Sequence, residues 1–252
     1  MSLPIETSNK PLPKIDVPVY TVKIPSSQKT IKVRPFNVKE EKLLLMAAES
    51  NSGEEIVSTV KQVINNCIVS GTFDVDKAPF FDIDFLFIFL RAKSIGESVE
   101  INLTCHNILN DEEGRVCGHT FKTNMDISNN EIIYNDEVKD DVKLDKTSGV
   151  MMKYPNYALI KQLDDTPDNE KKTKIIMNSI EHIYDKKGVY SAKDYSSKEL
   201  KDFIEGLTEE NYKKLEYYID NFPSFLVKIE ADCPKCGFHH VVRYADFLDF
   251  FQ

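Results

Sequence analysis

Two pairs of cysteines, each closing on Cys-Gly and each set between segments that alternate apolar and polar residues, constrain this chain more than any other feature. The second pair is Cys233-Pro-Lys-Cys236-Gly-Phe, a C-x2-C knuckle between SFLVKIEADC and HHVVRYADF. Such a turn suits a metal, because two thiolates converge while the following glycine tolerates the backbone conformation that points amide hydrogens at sulfur. One knuckle supplies half of a tetrahedral site. Cys105 and Cys117 offer the other half, again between strand-like runs, SVEINLTC at 98–105 and HTFKTNMDI at 119–127. The two stretches read as versions of one unit: strand, Cys, Cys-Gly, strand. The first carries a longer loop containing ILNDEEGR. Two such hairpins facing each other make a zinc ribbon, whose four thiolates lie about 2.3 Å from the ion and leave no position for water. The predicted ligands of a structural Zn2+ are therefore Cys105, Cys117, Cys233 and Cys236. His106, His119, His239 and His240 lie close in sequence and any of them could replace one cysteine, although the Cys-Gly placement favours Cys117 over His119. A redox pair is the competing reading of C-x2-C, but that motif opens a helix, whereas strands flank it here.

Composition narrows the setting. The chain has 252 residues, 41% of them apolar, enough to fill a core at ordinary packing. Lysine and arginine number 32 against 41 acidic residues, a net charge of −9, which argues against a nucleic-acid partner. The short basic run Lys171, Lys172 and Lys174 follows Asp164, Asp165, Asp168 and Glu170, and reads as a mixed-charge helix entry. No stretch approaches the roughly 20 apolar residues of a membrane span, and MSLPIETSNKPLPK lacks a signal peptide's apolar centre. A reducing, cytosol-like compartment is expected, in which an odd count of five cysteines is no disulfide framework.

Along the chain, residues 1–16 read as a flexible arm with Pro4, Pro11 and Pro13 among polar residues. A hairpin is predicted at about 18–35, then a helix from about 38 to 50 opened by Asn37 and Glu40 as a capping box. GEEIVSTVKQVINNCIVSG, from Gly53, places Ile56, Val60, Val63, Ile64 and Cys67 on one stripe, so Cys67 reads as core. Residues 80–96 are apolar nearly all round, either a buried central helix or one covered by a partner. Residues 128–154 are weakly patterned, and 155–222 read as several helices, among them NEKKTKIIMNSIEHIYD, SSKELKDFIEGL and TEENYKKLEYYIDNF. The expected fold is α+β, with β-hairpins forming a zinc-ribbon-like unit beside a helical N-terminal half and a helical insertion. The expected divisions are the arm at 1–16, a β-hairpin plus helical region at 17–97, the zinc-ribbon-like unit at 98–127 and 224–252, and a mostly helical insertion at 128–223. Phe247, Leu248, Phe250 and Phe251 are expected to pack on the zinc unit or into a neighbouring subunit.

No G-x-S-x-G, H-E-x-x-H, P-loop or G-x-G-x-x-G occurs, and nine glycines leave few loops able to wrap a phosphate. Asp136, Glu137, Asp140 and Asp141, like Asp164 and Asp165, read as solvated charge. No catalytic role is expected.

Arg34-Pro35-Phe36 leading into Lys39-Glu40-Glu41-Lys42-Leu43-Leu44-Leu45-Met46-Ala47, then Phe81-Asp82 opening a helix that runs into Leu90-Arg91-Ala92-Lys93-Ser94-Ile95-Gly96, resembles the baseplate hub and hub assembly proteins of T4-like contractile-tailed bacteriophages. The Cys233-Pro-Lys-Cys236-Gly knuckle and Asp249-Phe250-Phe251 are similar as well. The resemblance implies a non-enzymatic virion structural or tail-assembly protein. It would act through contacts with other phage baseplate and tail proteins in a symmetric assembly, in the tail baseplate and, during assembly, in the host cytoplasm. A zinc-ribbon nucleic-acid-associated factor is the alternative.

Overall fold

The computed structural model of the chain describes residues 15–50, 52–109, 114–159, 162, 163 and 166–244. The predicted arm therefore lies outside the described residues up to residue 14, as do Phe247, Leu248, Phe250 and Phe251. The alternation in YTVK and TIKV folds as β1 (Tyr20–Lys23) and β2 (Thr30–Val33), paired antiparallel with Tyr20 opposite Val33. A side-chain period of two sends Val22, Ile31 and Val33 into the core and Thr21, Lys23 and Lys32 out. Helix α1 (Val38–Glu49) starts as predicted. Asn37 Oδ1 accepts from the amides of Lys39 (3.0 Å) and Glu40 (3.1 Å), and Glu40 accepts from the Asn37 amide at 2.8 Å. The same Glu40 carboxylate receives two 2.8 Å bonds from the Arg34 guanidinium, which also donates to the carbonyls of Pro35 and Asn66. Strand β2, helix α1 and the end of the next helix are thereby tied at one point.

That next helix, α2 (Gly53–Cys67), buries the stripe read from the sequence, Cys67 included. It stops before the predicted IVSG. Ile68 is extended (φ −72°, ψ 118°) and opens β3 (Ile68–Ser70), which adds to the free edge of β2 with Ile68 opposite Val33. The β-branched pair Ile68-Val69 suits a strand, and the waiting edge supplies its backbone partners. Helix α3 (Phe80–Ser94) is the buried central helix, every residue buried or half-buried; it packs on α2 and on the strand β11 described below. Two carboxylates go in with it. Asp82 accepts from the Ser26 amide at 2.9 Å and from the Ser26 hydroxyl, and Asp84 accepts from Tyr157 Oη at 2.6 Å. Burial pushes the Asp82 carboxyl up from its ordinary value, against the pull of the two Ser26 donors.

After α3 come β4 (Ser98–Thr104) and β5 (Thr120–Asp126), an antiparallel ribbon with Ser98 opposite Asp126 and Thr104 opposite Thr120. The weakly patterned stretch holds β6 (Asn130–Ile133), β7 (Asp141–Lys143) and β8 (Gly149–Met152), strands of three or four residues, too short to show a period. Helix α4 (Asp168–Ser179) is shorter than NEKKTKIIMNSIEHIYD suggests. Ile180 turns extended (φ −75°, ψ 125°) and the chain continues as β9 (Ile180–Tyr184), paired to β8 on one side and to β10 (Val189–Ser191) on the other. Helices α5 (Ser197–Glu205) and α6 (Glu209–Asp220) start at Ser196 and Thr208 caps, and then come β11 (Ser224–Asp232) and β12 (His239–Tyr244). The fold is thus α+β, with six α-helices among the described residues and four antiparallel sheets ordered β1-β2-β3, β10-β9-β8-β7, β12-β11-β6 and β4-β5. One core joins α1–α3, the first sheet and the inward side of β11 through Phe225, Val227 and Ile229. A second joins β8 and β9 to α4–α6 around Val150, Ile176, Ile180, Leu215 and Tyr218. The third is small, and it is made of cysteines.

Candidate metal centre

Two hairpins rooted in the first core deliver the cysteines. Strand β4 runs into Cys105 and Cys117 stands three residues before β5; β11 runs into Cys233 and Cys236 stands three residues before β12. The two turns share one backbone pattern. Cys105 N donates to His119 O (2.9 Å) and Gly118 N to Cys105 O (3.0 Å), while Cys233 N donates to Phe238 O (2.9 Å) and Gly237 N to Cys233 O (2.8 Å). Gly118 and Gly237 both adopt positive φ, +61° and +71°, the left-handed region that favours glycine. The likeness read from the sequence is therefore a likeness of turns. Between Cys105 and Cys117 the described residues pair across the loop, with Ile108 bridged to Val116 and Cys117 N donating to Asn107 O at 2.8 Å.

The four sulfurs converge. Cys105 Sγ lies 3.6 Å from Cys236 Sγ, Cys117 Sγ lies 3.9 Å from Cys233 Sγ, and all four ligand atoms fall within 4.8 Å of one another. A tetrahedron with arms of about 2.3 Å has edges of about 3.8 Å, so the spacing is compatible with four thiolates around one ion. It is far from the roughly 2.05 Å of a disulfide, and all five cysteines are free. Cys105, Cys117 and Cys233 are buried, Cys236 half-buried. Burial pushes the Cys105 thiol up to about 12, while the Phe238 amide at its sulfur draws Cys236 down to about 7. Four soft donors, three buried and one half-buried, are compatible with a metal site.

No histidine joins this group. His239 Nδ1 lies 2.8 Å from Asp232 Oδ1, His119 stacks on Phe121, and His240 meets Phe238 edge to face at 4.9 Å. Sequence reasoning missed the supporting residues: Asn107 Nδ2 donates to Cys236 Sγ (3.8 Å) and Lys235 Nζ to Cys117 O (3.3 Å). Their only signal is adjacency to the cysteines. Cys67 sits elsewhere, with Arg34 Nη1 donating to its sulfur at 3.8 Å, and burial holds its thiol at about 12. In the acidic run Asp136, Glu137 and Asp140 are exposed, as read from the sequence, while Asp140 accepts from Tyr218 Oη (3.2 Å) and the half-buried Asp141 from Tyr184 Oη (2.6 Å). Asp164 and Asp165 lie outside the described residues.

No helix of the described residues is long and apolar enough to cross a membrane. No curated protein and no solved structure matches the chain. Residues 17–252 match the family model of the T4 bacteriophage base plate protein, a span that takes in both cysteine turns, the Arg34–Glu40 junction and α3. The chain belongs to the T4 bacteriophage base plate protein family.

Proposed function

We propose that the chain serves in the hub region of a contractile tail baseplate, as a non-enzymatic component or assembly factor whose two cysteine hairpins are locked by one structural Zn2+ on Cys105, Cys117, Cys233 and Cys236. Family membership makes it a structural baseplate protein with other phage tail proteins as partners, in the virion tail. The match over residues 17–252 is the observation that supports the role; the sulfur spacing supports the ion. On this reading the divisions at 17–97, 98–127 with 224–252, and 128–223 act as a helical base, a zinc-ribbon-like unit and an insertion. The protein meets its partners in the host cytoplasm and joins a symmetric assembly. Zinc contributes no chemistry beyond rigidity, because four thiolates fill its shell. A nucleic-acid factor is disfavoured by the net charge of −9.

Metal analysis by mass spectrometry on the purified chain tests the site. One zinc per chain, lost in both Cys233→Ser and Cys105→Ser, is the expected result; metal-free parent protein, or loss in one variant alone, refutes a shared site. A phage deleted for this gene should build complete baseplates only when the chain is supplied in trans. Normal baseplates without it would remove the structural role.

A further inference from the structure

Away from the cysteines, a cleft of about 470 Å³ opens between α5, the β9–β10 hairpin and the β7–β8 turn. Its floor is apolar: Leu144, Ile183, Leu200 and Phe203 pack onto the second core from below. Three tyrosines, Tyr184, Tyr190 and Tyr195, wall it, and two carboxylates, Asp185 and Glu199, stand in the lining. The size falls within the roughly 300–1,000 Å³ of ordinary ligand pockets.

The carboxylates set the chemistry. Asp185 Oδ1 accepts from the amides of Lys187 (2.7 Å) and Gly188 (3.1 Å) and from Tyr190 Oη (3.1 Å). Glu199 Oε2 accepts from the Ser196 amide (2.8 Å) and hydroxyl (2.6 Å). Both carboxyls are held below their ordinary values, Asp185 first by the Lys187 amide and Glu199 first by the Ser196 hydroxyl. These donors orient two negative charges; no lysine or arginine lines the cleft, and the Lys187 charge lowers Asp185 less than its amide and hydroxyl donors do. An apolar plug would strip water from both charges and return nothing. A compact ammonium would answer the charge and leave the ring faces unused. Tyr184 already has Lys143 Nζ 4.9 Å from its centroid, so the aromatic surface open to a newcomer belongs to Tyr190 and to Tyr195, which is 40% exposed. A planar cation satisfies both demands, stacking on a ring while its edge faces a carboxylate.

We propose that this cleft receives the guanidinium of an arginine carried on a segment of a partner protein, with Tyr195 and Tyr190 as the stacking surface and Asp185 and Glu199 as its counter-charges. The inference stands apart from the cysteine site and survives if that site proves empty of metal.

Calorimetric titration at low salt with the peptide acetyl-Gly-Arg-Gly-amide, against the same peptide carrying citrulline, tests it on the full chain. Citrulline keeps the shape and removes the charge. The expected result is binding of the arginine peptide that weakens about tenfold or more with citrulline, and about fivefold or more in Tyr195→Ala. Tyr195→Phe, which keeps the ring, should bind as the parent does. Glu199→Gln keeps hydrogen-bonding atoms for the Ser196 cap and should still weaken the arginine peptide. Circular dichroism confirms that each variant folds. Equal affinity for arginine and citrulline, or an unchanged affinity in both Tyr195→Ala and Glu199→Gln, overturns the proposal. So does the absence of heat at millimolar peptide.

Discussion

Replacing Glu40 by alanine should be among the most damaging single changes outside the apolar core. Glu40 is 5% exposed and accepts three bonds, all at 2.8 Å: two from Arg34 and one from the Asn37 amide. Breaking a buried pair by removing one partner costs about 3–5 kcal/mol. Here the Arg34 side chain is 23% exposed and keeps the Pro35 and Asn66 carbonyls, which places this loss near the low end, about 3 kcal/mol. Loss of the capping bond adds about 1 kcal/mol, and alanine's better helix propensity returns only a few tenths. The total is about 4 kcal/mol. At about 2.1 cal/mol/K of unfolding entropy per residue, a chain of 252 residues should melt about 7 °C lower. Scanning calorimetry reads the shift directly, and the Arg34→Ala, Glu40→Ala cycle should show about 2 kcal/mol of non-additivity. The pH dependence follows from the Arg34 hydrogen bonds, which lead in lowering the Glu40 carboxyl below its ordinary value. A carboxyl lowered by folding contributes stability that is present above the unfolded value, about 4.5, and lost as pH falls through the folded one. The gap between parent and variant should therefore narrow as pH drops below about 4.5. A melting difference under about 2 °C at neutral pH, or strict additivity in the cycle, would refute the reasoning.

Chelation should remove amide protection at Cys105, Gly118, Cys233 and Gly237 while Val150 and Ile183 of the second core stay protected, as read by hydrogen exchange; equal loss at both would contradict a local clamp. Gly149→Ala should cost about 1–3 kcal/mol in urea denaturation, because a Cβ there would sit 2.2 Å from Tyr184 Oη and 2.9 Å from Val142 O. Tyr184→Ala should relieve only the part due to the ring, because the contact with the Val142 carbonyl remains. Ile83→Ala, at a position of zero exposure in the central helix, should cost about 2–5 kcal/mol, measured the same way.

The parts of this fold that read clearly from the sequence are those whose signals are local. Asn37 and Glu40 form their capping box within four residues, and Cys105 and Cys233 sit in turns announced by Cys-Gly. The helix ends at Cys67 and Ser179 were hidden for the opposite reason. Neither has a glycine or proline, and both hand over to an isoleucine that becomes extended because a distant strand, β2 or β8, offers an edge. Arg34 has no local sequence signal for its place at the junction of β2, α1 and α2. Its bond to Asn66 O spans 32 positions, and no period or motif encodes such a reach. The tyrosine-walled cleft is assembled from β9, β10 and α5, and depends on the chain from Ile180 being a strand where the pattern predicts a helix.

The placement of β11 has a consequence in time. It supplies Phe225, Val227 and Ile229 to the core around α3, pairs with β6, and leads into Cys233. More than a hundred residues separate Cys117 from Cys233. At a synthesis rate of about 5–20 residues per second, the first two thiols wait roughly 6–25 s on the ribosome before the second two are made. For that interval α3 lacks its covering strand and Cys105 and Cys117 have no partners, so the nascent chain is exposed both to sticking and to oxidation. Closing the cysteine cluster then reports on synthesis itself: a chain interrupted anywhere before Cys233 has no way to form it.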